Sequence, residues 1–99
     1  MITVIIAEIS VVPLGEGTSV SRYVSLAVKE LRKSGLKTLS GPMSTSVEAA
    51  NLVEILNAVK AAHEAVVNAG ARRVITTLKI DDRRNRAATM ETKMKAIEH

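Results

Sequence analysis

Residues 3–12 alternate along the chain, with Thr3, Ile5, Ala7, Ile9 and Val11 on one side and Val4, Ile6, Glu8 and Ser10 on the other. A period of two in a β-branched run predicts a strand. Its first half is apolar on both sides, which a sheet covered on one face only would not require. Pro13-Leu14-Gly15-Glu16-Gly17 breaks the alternation and predicts a loop, with Thr18 or Ser19 placed as the cap of a helix. The period then lengthens: Val20, Val24, Ala27, Val28 and Leu31 form one helical stripe, closed by Gly35. Leu36–Ser40 and Thr45–Ala49 read as short strands around Gly41-Pro42-Met43-Ser44, a hairpin turn. Asn51 with Glu54 three residues on resembles a capping box and opens a second stripe of Leu52, Ile55, Leu56, Val59, Ala62 and Val66, ended at Ala69-Gly70. Arg73–Asp81 predicts a fourth strand, with Val74, Leu78 and Ile80 facing one way and Ile75, Thr77 and Lys79 the other. Thr89 then caps a last amphipathic stretch, Met90–Glu98, with Met90, Met94 and Ile97 on one side.

Strand, helix, hairpin, helix, strand is the split βαβ arrangement, whose right-handed crossovers place both helices on one face. The predicted fold is α+β and ferredoxin-like: a four-stranded antiparallel sheet in the order 4-1-3-2 with a short C-terminal helix, residues 1–99 forming one domain. No linker, repeat or low-complexity tract interrupts it. The face without helices carries Val4, Ile6, Glu8 and Ser10 from strand one, Ile75, Thr77 and Lys79 from strand four, and Ser44, Ser46 and Glu48 from strand three unless a bulge near the turn reverses their parity. An open patch containing Val4, Ile6 and Ile75 predicts a contact surface, so this face is expected against another subunit.

Composition narrows the chemistry. The apolar fraction of 46% is almost wholly aliphatic, with no Phe, no Trp and Tyr23 as the one aromatic residue, so base-stacking platforms for single-stranded nucleic acid are lacking. The absence of cysteine removes disulfides, thiolate nucleophiles and thiolate-bound zinc. The apolar start is too short for a membrane span, lacks a basic leader and meets Glu8 quickly, which points to a cytoplasmic protein. The net charge of +4 would favour polyanions if it were gathered in one patch. The one dense run, Arg83-Arg84-Asn85-Arg86, directly succeeds Asp81-Asp82 and could either clamp an anion or pair within its own loop.

His63 lies at the edge of the second stripe, where a partly buried imidazole bonded to a neighbour is expected, since His99 at the terminus is the one other histidine. The serines and threonines are read as caps and turn formers, because no nucleophile elbow and no Ser/His/acid set is present. Gly15-Glu16-Gly17 lacks the third glycine of a dinucleotide site, and no phosphate-loop lysine occurs. No catalytic residue, bound metal or cofactor is therefore expected.

Taken together, Ile9-Ser10-Val11-Val12-Pro13-Leu14-Gly15, Gly41-Pro42-Met43-Ser44-Thr45, Ala61-Ala62-His63-Glu64-Ala65-Val66 and Thr76–Arg84 resemble the YkoF-like thiamine-binding protein family over nearly the whole chain. The resemblance implies a ferredoxin-like fold, a homo-oligomer that is commonly a tetramer made by joining sheets, and binding of thiamine or its hydroxymethylpyrimidine part, with no established catalytic activity. The family usually has Met-Gly-Thr in the hairpin turn, where this chain has Met43-Ser44-Thr45. An aminopyrimidine offers donors and acceptors that hydroxyls and a carboxylate satisfy, and a thiazolium cation favours acids. The candidate ligand-binding residues are accordingly Glu8, Ser10, Ser44, Thr45, Glu48, Thr77 and Lys79, with Lys79 equally placed to pair with Glu8 or Glu48 across strands.

Overall fold

A computed structural model describes residues 4–17 and 20–98. Thr3, the candidate caps Thr18 and Ser19, and His99 lie outside the described residues. The elements run in the order β1 (Ile5–Pro13), α1 (Ser21–Lys33), β2 (Lys37–Ser40), β3 (Thr45–Ala49), α2 (Leu52–Asn68), β4 (Val74–Asp81) and α3 (Met90–Ile97). The sheet is antiparallel, ordered β2-β3-β1-β4, which is the expected 4-1-3-2 read from the other edge.

Alternation along β1 decides which face is dry. Ile5, Ala7, Ile9 and Val11 are buried against the helices, and Ala49, Val47 and Thr45, the β3 register partners of the first three, share that face. From α1 and α2 the core takes Leu31, Ile55 and Val66, each almost wholly out of water. Burying an aliphatic side chain of this size contributes about 1.5–3 kcal/mol, so these residues carry much of the stability of a small domain.

The helix ends differ in how they are held. Asn51 is the N-cap of α2, its Oδ1 accepting from the Glu54 backbone N–H at 3.0 Å. Thr89 caps α3 in a reciprocal box with Thr92. The N-cap of α1 is instead Val20, without a side-chain hydrogen bond. The buried stripe of α1 also differs from expectation: Tyr23, Ala27 and Leu31 face inward, and Val24 is 38% exposed. One residue is a rotation of about 100° on a helix, and placing the large Tyr23 ring under the helix buries more surface than Val24 could. Leu52 and Leu56 likewise flank the inward stripe of Ile55, Ala58, Ala62 and Val66 without being covered, because β4 is the last strand on that side.

The second face is not wholly bare. α3 lies on it: the buried Met90 is the first helical residue, its backbone N–H donates to Glu48 Oε2 at 2.8 Å, and Lys93 pairs with Asp81. Glu48 therefore answers an orphan donor at a helix N-terminus, where a negative charge is also favoured by the helix dipole.

Candidate functional site

β1 is longer than the strand beside it. Its pairing with β3 runs only from Ile5↔Ala49 to Ile9↔Thr45, whereas its pairing with β4 continues to Pro13↔Val74. Beyond Ile9 the β3 side of β1 faces the hairpin turn, and among the described residues no backbone hydrogen bond joins Ser10–Pro13 to that turn. The mismatch leaves a notch of about 260 Å³ between the β1 edge, the turn from Gly41 to Thr45, and Ala27, Val28 and Leu31 of α1. Its floor reaches the core at Ile9, while a strand edge left without a partner offers backbone N–H and C=O groups to whatever enters.

The turn is held tightly. Gly41 N–H donates to the Ser44 carbonyl at 2.8 Å, and a Cβ at Gly41 would stand only 3.3 Å from that oxygen. Thr45, 4% exposed, lies on the helix-covered face and lines the notch together with Ser44. Ser10 borders it along the backbone, its side chain being on the opposite face by strand alternation.

The other candidates stand apart from the notch. Glu8 and Lys79 are register partners on the open face, with Ser46 on the far side of Glu8, and Thr77 lies opposite Ser10. No bulge intervenes in β3, so Ser46 and Glu48 keep the parity expected of them. Glu48 is occupied: besides Met90 it meets Lys37 at 3.9 Å. The open face also exposes Leu39 (48%) and Ile75 (46%), and Val4, Ile6 and Val12 are half-buried. The sequence candidates thus divide: Thr45 lines the notch together with Ser44, which precedes β3 in the turn and was expected on the open face, whereas Glu8, Ser10, Glu48, Thr77 and Lys79 are on the open face. Inspection of the sequence missed the notch; the unequal lengths of strands one and three were the available signal.

Elsewhere, His63 is half-buried and its Nδ1 lies 2.6 Å from Thr76 Oγ1, the neighbourly bond expected of it. In the basic loop Arg84 is held by both oxygens of Asp82 and Arg83 donates to Asn85, so much of the run is engaged within itself. The Asp82 carboxylate raises the Arg84 pKa, and Lys93, by hydrogen bond and then by charge, lowers that of Asp81. A larger groove of about 670 Å³ separates the C-terminal end of α1 from α2, but it mixes Glu30 and Glu54 with Lys33. Among the described residues no cluster of three or more His, Asp or Glu could hold a metal, and no helix is long and apolar enough to cross a membrane.

A four-stranded sheet in this order, backed by two helices and notched beside its hairpin, defines a ferredoxin-like α+β domain with room for a small ring. The chain belongs to the thiamine-binding protein family, whose model matches residues 7–98. It is 48% identical over 94 residues to a UPF0045 protein of Methanothermobacter thermautotrophicus, covering 94% of this chain and 95% of the relative. The solved structure of the hypothetical protein MJ1052 of Methanocaldococcus jannaschii superposes with a TM-score of 0.88 at 45% identity, over 95% of each chain. A Thermotoga maritima protein provisionally assigned to thiamine biosynthesis or salvage superposes with a TM-score of 0.81 at 27% identity, over 94% of this chain and 97% of its own.

Proposed function

We propose that the protein is a cytoplasmic, non-catalytic binder of thiamine or its hydroxymethylpyrimidine moiety, acting as a homo-oligomer. The notch carries this reading. Its 260 Å³ is small beside the usual range for drug-sized ligands and suits a single ring. An aminopyrimidine presents an amino donor beside a ring-nitrogen acceptor, the complement of the alternating C=O and N–H groups on the free edge of β1. Thr45 and Ser44 add hydroxyls at the turn, and the aliphatic walls of α1 receive the faces of the ring. Family membership supports the same ligand class.

The open face supports self-association. Leu39 on β2 and Ile75 on β4 stand exposed at its two edges, with the half-buried Ile6 and Val12 and the Glu8–Lys79 pair between them, a mixed surface with charges of both signs that a second copy turned by a two-fold axis could cover. In such an assembly Glu8, Thr77 and Lys79 would border the space between sheets. The alternative of anion or nucleic-acid binding through Arg83 to Arg86 predicts affinity that falls steeply with salt.

Calorimetry with thiamine and with hydroxymethylpyrimidine tests the ligand; saturable heat at micromolar concentration is expected, and none at high micromolar ligand overturns it. Sedimentation at micromolar protein tests the assembly, and a monomer would remove the interface.

A further inference from the structure

The outer flank of α1 continues the notch into a second groove of about 480 Å³. The two share Val24 and Val28 as walls, and Ser40, which lines the groove, immediately precedes Gly41 at the start of the turn. The groove differs from the notch in charge. Lys29, Arg32 and Lys33 line it, and among the described residues no carboxylate lines either cavity. Lys33 is paired with Glu30 at 3.3 Å, whereas no ion pair among the described residues engages Lys29 or Arg32. Arg32 is aimed at the turn side of the groove, its guanidinium donating to Ser40 Oγ at 3.3 Å.

A ring in the notch would thus carry its substituent past Val24 and Val28 toward Lys29 and Arg32, neither of which any ion pair among the described residues engages. That surface repels a bare thiazolium cation and attracts a phosphate, for which a guanidinium is a good partner. We infer that the ligand of this site is a phosphorylated aminopyrimidine compound, with the ring in the notch and the phosphate on Lys29 and Arg32. This rests on the reading of the notch as an aminopyrimidine site and adds to it the charge state of the ligand.

Paired titrations test it: hydroxymethylpyrimidine against its phosphate, and thiamine against thiamine monophosphate, on the full chain at low ionic strength. The phosphorylated member of each pair should bind about five- to tenfold more tightly, the scale of one to two modest ion pairs. The preference should shrink as salt rises, and it should fall below about twofold in K29Q/R32Q. Because the salt series uses the unaltered protein, the inference stays testable even if that variant folds poorly. Equal affinity within each pair, or preference for the unphosphorylated member, overturns the phosphate inference and leaves the ring site standing. Inorganic phosphate binding as tightly as the phosphorylated compounds also overturns it, since the notch would then contribute nothing. No binding by any of these compounds overturns both readings.

Discussion

The two faces of one sheet obey opposite rules. On the helix-covered face, Ile9, Val47 and their neighbours are sealed in aliphatic packing, which opens where β3 stops and β1 continues. On the other, charges alternate with half-covered aliphatics, and the one helix present is held by polar contacts through Glu48 and Asp81. The strand pleat alone produces this division, because each residue is committed to one side or the other. The lesson is that a largely aliphatic notch and a mixed polar and aliphatic open face can be built from the same strands without competing for side chains.

Substitutions on the two sides of the sheet sharpen the contrast. The largest effect is expected for Ile55→Ala on α2, against the helix-covered face, a loss of about 2–5 kcal/mol in urea unfolding, because the side chain it truncates is wholly buried. Ile75→Ala on the open face should cost less than about 0.5 kcal/mol in dilute protein and instead weaken assembly, seen as a concentration-dependent shift in sedimentation. Equal costs for the two would break the distinction between the faces.

Next in size is Glu48→Ala. It leaves the Met90 N–H without its carboxylate, and a loss of about 1–3 kcal/mol is expected, with hydrogen exchange of the α3 amides accelerating before that of α2. Glu48→Gln keeps an acceptor and should recover most of the protection. Thr45→Val, nearly isosteric, tests the notch: ligand affinity should fall about three- to tenfold by calorimetry while the sheet stays intact.

The smallest effect concerns pH. Lys93 lowers the Asp81 pKa in the folded protein, so the stabilisation from this pair is present above the unfolded carboxylate value of about 4 and is lost as pH falls through the lowered folded value. Protection of the α3 amides should decline in that window, and K93A should remove the decline.

Much of this architecture was legible in the sequence for a physical reason: strands with one dry face must alternate, which was enough to define Thr45–Ala49 and the parity of β4. Asn51 and Thr89 were legible as caps because capping is local. The inward side of α1 was not, since the choice between Tyr23 and Val24 depends on packing against distant elements. The docking of α3 was hidden for the same reason, with Glu48 and Met90 far apart in the chain. Of the candidate site, the hydroxyl-bearing turn could be read, but the notch beside it arises from the difference in length between two strands.

Tyr23 gives the molecule an optical consequence. It is the one aromatic residue in a chain without tryptophan, buried on α1 one turn before Ala27 in the wall of the notch, with the Arg22 guanidinium 5.1 Å above its ring centroid. All intrinsic ultraviolet emission therefore originates from a single ring close to the cavity. The unlabelled protein is its own fluorescence reporter, and Tyr23→Leu would make it dark.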